Sequence, residues 1–289
     1  MKTSDFLVRA GKKFSLKKHQ PDFTGDYKNK TDAKPDLASD TKLLFEWQEK
    51  LFAEEKRALL VVFQGMDTAG KDAAIKAVTT GVNPQWFRVA SFKPASEEEL
   101  RQDYLRRFSM KLPERGLVGI YNRSHYEEVL IVRVHAEQRL QDLPDEVKNN
   151  PKIWQERFEQ IRNYETYLVQ NGIHVLKIFL NISKEEQKRR ILERIEESSM
   201  NWKFSNSDVE EREFWDDYVR SYEEAIEATS TEIAPWYIVP ADNRWFSHVA
   251  IARIMVEKLE AMNPSMPGMS KDDKREMKEA KTKLENERS

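Results

Sequence analysis

The stretch Gly65-Met66-Asp67-Thr68-Ala69-Gly70-Lys71-Asp72 decides how the rest of the chain is read. It follows the apolar run Ala58–Phe63 and leads into Ala73-Ala74-Ile75-Lys76-Ala77-Val78, a good helix start. A strand, a G-x-x-x-x-G-K loop and a helix, in that order, make a phosphate cradle. Glycines let backbone N–H groups turn inward, the helix N-terminus adds partial positive charge, and the lysine reaches the terminal phosphate. A glycine-rich turn that merely joins strand to helix is the competing reading. Two positions depart from the usual pattern: Asp72 stands where a Ser or Thr hydroxyl would touch Mg²⁺, and Asp67 puts a carboxylate inside the loop. A carboxylate beside bound phosphate is costly without a cation next to it, so Asp67 is expected to ligate Mg²⁺ or to bridge the metal and the transferred phosphoryl group. Asp72 equally suits the positive end of the helix dipole.

Outward from the loop, further short apolar runs occur at Phe87–Phe92, Leu117–Tyr121, Ile173–Leu180 and Trp236–Val239, each bounded by turn or capping residues. They read as buried strands of a parallel sheet. Amphipathic stretches lie between them, and several open on a capping box: Ser96 with Glu99, Ser183 with Glu186, Ser207 with Glu210. The succession predicts an α/β fold, a five-stranded parallel sheet flanked by helices, with the ligand site beyond the carboxyl ends of the strands. Residues 1–38, broken by Pro21, Gly25 and Pro35, read as a polar extended arm; 39–262 form the core domain; 263–289 read as a charged tail, either a frayed helix or disordered.

The 289 residues carry 48 Lys+Arg and 50 Asp+Glu, a net charge of −2 on a heavily charged chain. A polyanion can therefore be attracted only by a local basic patch, which argues against a large nucleic-acid surface. From Ser207 to Glu232 ten acidic residues face two basic ones, a local sum of −8, so the remainder sums to +6 and holds the basic groove. No apolar run is long enough to span a membrane and no secretory leader is visible, which predicts a cytoplasmic protein. Zero cysteines and five scattered His exclude disulfides and thiolate sites, leaving a hard cation on carboxylates as the expected metal.

The second strand ends in Ser91-Phe92-Lys93-Pro94 and the third in Tyr121-Asn122-Arg123-Ser124-His125-Tyr126-Glu127-Glu128, both aimed at the crevice that holds the loop. Arg123 is well placed to neutralise phosphoryl charge. Asn122 or Ser124 suits a helix cap, and His125 is as compatible with packing as with function. The helix from Ser183 offers Lys188, Arg189, Arg190 and Arg194, with Lys203 beyond, and leads into a short polar loop suited to close as a lid over bound phosphates. A solvated helix whose basic residues pair with Glu186, Glu193, Glu196 and Glu197 is the alternative. Most aromatics fall at helical spacings and read as core; Trp86 and Trp202 flank the site regions.

Together the strings GMDTAGKD, GVNPQWFRVASFKPASEEEL with DYLRRF, YNRSHYEEVLIVRVH, and WKFSNSDVEEREFWDDYVRSYEEAIEATSTEIAPWYIVPAD resemble the family-2 polyphosphate kinases over roughly residues 40–262. The resemblance implies a P-loop kinase fold similar to thymidylate kinase, phosphoryl transfer between inorganic polyphosphate and nucleotides, Mg²⁺ or Mn²⁺, and a homo-oligomer, dimer or tetramer. It makes Asp67, Lys71 and Arg123 the catalytic set. Gly65, Thr68, Ala69, Gly70, Lys71 and Asp72, with Arg189, Arg190, Arg194 and Lys203 of a basic lid over about 183–206, become the polyphosphate site. Lys93, Asn122, Arg123, Glu127 and Arg133 become the nucleotide site. At position 122 the chain has Asn where diphosphate-specific members carry Asp, so the motif resembles the branch that accepts both AMP and ADP, and Glu127 becomes the second metal carboxylate after Asp67. Guanine nucleotides are further candidate acceptors. Two rivals share the loop: an ATP-dependent nucleoside monophosphate kinase, and a non-catalytic phosphate- or nucleic-acid-binding module.

Overall fold

The computed structural model of the chain describes residues 1–135 and 143–287. Its centre is a parallel sheet of β1 (Ala58–Gly65), β2 (Phe87–Ser91), β3 (Val118–Asn122), β4 (Ile173–Asn181) and β5 (Trp236–Pro240), in spatial order β2-β3-β1-β4-β5. These are the five expected strands, with ends moved by no more than two residues. Every residue of β1 is buried, as befits a central strand covered on both faces. Its Leu59 pairs with Val118 of β3 on one side and His174 of β4 on the other.

The helices of eight residues or more are α1 (Lys30–Glu54), α2 (Lys71–Thr79), α3 (Ile153–Gln170), α4 (Lys184–Glu196), α5 (Trp215–Thr229), α6 (Arg244–Met262) and α7 (Lys271–Glu285). On one face α2 and α6 cover the sheet, with α1 laid along α6; α3 and α5 lie on the other. The helix α2 buries Ala74, Ile75 and Val78, the one-sided stripe that seats it on the sheet. No helix among the described residues is long and apolar enough to cross a membrane.

Capping is borne out unevenly. The box at Ser96 and Glu99 forms in full. Ser183 accepts from the Glu186 N–H, but the Glu186 carboxylate turns to Arg189 and Arg190, and the Ser183 N–H donates to Asp242 instead. At Ser207 the expected box is absent: the helix is one turn long, Asn206 holds the cap position, and the Ser207 hydroxyl pairs with Ser205.

The N-terminal segment is more than an arm. The Val8 N–H donates to Trp236 O at 2.9 Å and the Ile238 N–H to Phe6 O at 2.8 Å, so residues 6–8 add to the free edge of β5 while Phe6 and Val8 enter the core. The boundary expected at 38/39 falls inside α1, because the Asn29 side chain caps the N–H groups of Thr31 and Asp32 and starts the helix there, with Pro35 in its interior. At the other end α7 is helical and exposed along its length. The last two positions of the charged tail lie outside the described residues.

Candidate active site

The loop between β1 and α2 is bent where its residues permit it. A Cβ on Gly65 would stand 2.9 Å from Leu180 O, and Gly70 (φ +104°) forms the left-handed N-cap of α2. Thr68 is also left-handed, at φ +62°, an uncommon state for a residue with a branched side chain. Lys71 folds back under the loop, donating to Gly65 O at 2.7 Å and Met66 O at 3.1 Å. Burial, and then the charge of Arg123, pull its pKa down to about 8.

Arg123 stands opposite, left-handed at φ +64°, its N–H tied to Phe63 O of β1 at 3.1 Å. Backbone strain of this kind collects at functional sites. Its guanidinium holds two carboxylates at once, that of Asp67 and that of Glu127, the latter at 3.0 Å. The Glu127 charge leads the rise in its pKa. Asn122 donates to Asp72 at 2.6 Å, which anchors Asp72 across to the end of β3. Asp67 and Glu127 thus turn hard oxygens toward the same guanidinium. Among the described residues no group of three His, Cys, Asp or Glu side chains forms a protein-only cage. That set suits Mg²⁺, which takes one or two protein carboxylates and fills its shell with water and substrate oxygens.

Two cavities meet at Asp67, Arg123 and Asp208. One, about 280 Å³, is a polar groove in which Lys71, Arg123, Arg194, Lys203 and Arg244 outnumber Asp67, Asp72 and Asp208. Among the described residues its walls carry no aromatic side chain. The other, about 420 Å³, has apolar walls from Phe92, Pro94, Leu100, Phe108, Ile131 and Val132, with Lys93, Arg107 and Glu127 among its polar groups. Its size falls in the range of small-molecule sites. Asp208 pairs with Arg194 at 2.7 Å, and burial together with the nearby Asp67 charge raises its pKa.

Thr68, Gly70, Lys71, Asp72, Arg123, Arg194 and Lys203 come together on the groove, and Lys93, Glu127 and again Arg123 on its neighbour, whereas Asn122, expected with the nucleotide, lies instead on the groove beside Asp72. Gly65 and Ala69 shape the loop from behind: Gly65 lines a small adjoining slot, and Ala69 is buried with its N–H on Met66 O. Three expected basic residues are elsewhere. Arg190 is only 1% exposed, and its five N–H donors are all spent on Glu186 and on the carbonyls of Thr68, Ala69, Ala241 and Asp242, so none is left for a phosphate. Arg189 is 60% exposed, clasped by Glu186 and Glu193 outside the groove. Arg133 pairs with Glu224 and lines a separate depression with Arg220. His125 is packed among Phe108, Tyr126 and Tyr164, and Ser124 caps the short turn after β3. Trp86 is buried against Phe52, whereas Trp202 is exposed on the lid.

Sequence reasoning missed Arg244, Asp208 and Arg107. Arg244 opens the helix after β5, and the rule that ligands gather at the carboxyl ends of strands could have found it. Asp208 was hidden in an acidic run, and nothing local marks Arg107 as facing a cavity.

The family model of Polyphosphate kinase 2 matches residues 27–267. The chain is 40% identical over 285 residues to an ADP-polyphosphate phosphotransferase of Rhodopseudomonas palustris, covering 98% of this chain and 99% of that one. It is 42% identical over 265 residues to an AMP/ADP-polyphosphate phosphotransferase of Meiothermus ruber, covering 91% and 94%. The crystal structure of Polyphosphate Kinase 2 from Arthrobacter aurescens TC1 superposes with a TM-score of 0.84 at 36% identity, covering 96% of this chain and 97% of that one.

Proposed function

The chain belongs to the Polyphosphate kinase 2 family, and we propose that it transfers the terminal phosphoryl group of inorganic polyphosphate to AMP and ADP. The observation that carries this reading is the contrast between two cavities that share Asp67 and Arg123. A groove lined by five cations and no aromatic wall suits a bare chain of phosphates as donor, and offers an adenine-bearing donor no flat apolar surface. The apolar cavity beside it suits a nucleotide base, with its phosphate directed toward Lys93 and Arg123.

In the proposed reaction the donor lies along Arg244, Lys203 and Arg194, with its last phosphoryl group against the loop amides and Lys71. The acceptor phosphate oxygen forms the new P–O bond as the bond to the bridging oxygen breaks, and that oxygen leaves as the new chain end. The acceptor is already ionised, so no general base is needed; catalysis lies in alignment and charge neutralisation. Mg²⁺ or Mn²⁺ on Asp67 and Glu127 would supply neutralisation of the transferred group and of the leaving oxygen. Arg123, which clasps both carboxylates in the free chain, would then turn to the phosphoryl oxygens. The proposal extends, on the family resemblance and composition alone, to guanine nucleotides as acceptors, reversibility, homo-oligomeric assembly and a cytoplasmic location; a monomeric mass in solution would remove the assembly.

The test is a coupled assay with polyphosphate as sole donor, offering AMP, ADP, GMP and GDP in turn with Mg²⁺. Product from AMP and ADP is expected, and little from ATP as donor to AMP in its place. No product from any acceptor with polyphosphate would overturn the function.

A further inference from the structure

Three successive carbonyls of the phosphate loop are held by two side chains of α4. Gln187 Nε2 donates to Asp67 O at 3.0 Å, and Arg190 Nη1 donates to Thr68 O and Ala69 O, each at 3.0 Å. The other half of the guanidinium reaches Ala241 O at 2.6 Å and Asp242 O at 2.9 Å, in the turn after β5. Glu186 accepts from Nε at 2.7 Å and balances the charge. Gln187 is itself held, its Oε1 accepting from Arg212 at 2.5 Å. One buried side chain therefore fastens the loop after β1, the turn after β5 and the root of the lid helix to each other.

We propose that Arg190 is a positioning residue for phosphoryl transfer: it holds the loop in the shape that receives phosphate without touching phosphate itself. In a trans peptide the carbonyl and the N–H point in opposite directions. Carbonyls of Asp67 and Ala69 drawn toward α4 thus send the N–H groups of Thr68 and Gly70 the other way, toward the groove that Thr68 and Gly70 line. The left-handed backbone of Thr68 is costly unless its surroundings fix it, and Arg190 bonds that residue's own carbonyl. This inference rests on the reading of the loop as the donor-phosphate cradle.

The experiment compares Arg190→Lys with the unaltered protein, without ligand, by hydrogen exchange of the Ala69 amide, which the loop itself protects through its bond to Met66 O. A lysine has its donors on one nitrogen and cannot span from Ala69 to Ala241. Exchange in the loop is expected to rise about tenfold with β1 and α6 unchanged, and turnover to fall about 100-fold, the usual scale for an ångström of misplacement. KM for the nucleotide should stay as it was, because the acceptor cavity does not include Arg190. In Arg190→Gly, added guanidinium should restore part of the turnover; it should restore none in Lys71→Ala. Loop exchange and turnover at the unaltered level in Arg190→Lys would overturn the proposal. So would unchanged loop exchange with a loss confined to the polyphosphate KM, since that is the signature of direct phosphate contact. A uniform rise in exchange over the whole chain would also overturn it, marking a general structural role. Should Arg190→Gly fail to fold, exchange in Arg190→Lys still decides. Loop exchange needs no substrate, so a failed polyphosphate assay on the unaltered protein would remove the function and leave this result standing.

Discussion

Lys71 sits under the loop with its amine on two carbonyls and its pKa drawn down to about 8. A polyanionic donor binds the protonated amine, so binding weakens as pH rises through that value. The charged fraction falls from about nine-tenths at pH 7 to about one-tenth at pH 9, and kcat/KM for polyphosphate, which follows the free enzyme, should drop about tenfold over that span. In Lys71→Arg the side chain stays charged throughout, so the profile should be flat, at a lower level. A flat profile in the unaltered protein would show that Lys71 does not titrate in the free site. The places of single residues were legible where a motif fixed the backbone around them. Lys71, Asp67 and Arg123 come together because loop and strand end dictate their places. Arg190 and Arg194 share a helix face in the sequence, yet one is buried under the loop and the other lines the groove. Helical spacing places both on one side and says nothing of depth along it.

At the scale of elements the strands were the easiest to read, since a strand buried on both faces is a continuous apolar run of fixed length. The lid was harder. Its first turns, through Arg190, are fastened to the loop, and only the part from Arg194 onward hangs over the groove. Helix pairing across layers left no local trace at all: Asp40 of α1 is buried against Arg253 of α6 at 2.7 Å. Burial pushes its pKa up to about 6, with Asp36 and Glu257 adding to the rise and Arg253 opposing it. A carboxyl whose folded pKa exceeds its unfolded value binds its proton more tightly when folded. The destabilisation is therefore absent below about pH 4, grows as pH rises toward 6, and is complete above it. Asp40→Asn should raise Tm at pH 7 by about 2 °C, on the order of 1 kcal/mol after allowance for solvent screening. The gain should fade as the pH is lowered from about 6 to 4 in thermal melts of both proteins. An equal difference at pH 4 and pH 7 would mean that the charge on Asp40 plays no part.

Across the whole molecule the two ends of the chain, both polar in sequence, have opposite roles. The acidic stretch Ser207–Glu232 is part of the reason. Glu223 accepts from the Leu16 N–H and the Ser15 hydroxyl, Glu227 accepts from the Phe14 N–H, Glu224 holds Arg133, and Asp208 holds Arg194. Its excess charge is thus spread over the N-terminal segment, the flank of α5 and the lid, which leaves the groove basic as the charge arithmetic anticipated. What composition could not reveal is that Phe6 inserts between Phe23 and Phe246, ring centroids 6.2 and 6.0 Å away, and is almost wholly buried. Removing a buried ring leaves a cavity as well as lost apolar contact, so Phe6→Ala should cost about 3 kcal/mol and lower Tm by about 6 °C. Turnover per folded molecule should be little changed, because Phe6 touches neither cavity of the site. Met277, on the exposed α7, gives the contrast: Met277→Ala should stay within about 0.5 kcal/mol of the unaltered protein. Calorimetric melts of the two variants side by side decide between the roles. Equal small losses would mean that the N-terminal segment merely lies on the surface, whereas a large loss for Phe6→Ala alone makes it part of the core that keeps β5 and the loop behind it in register.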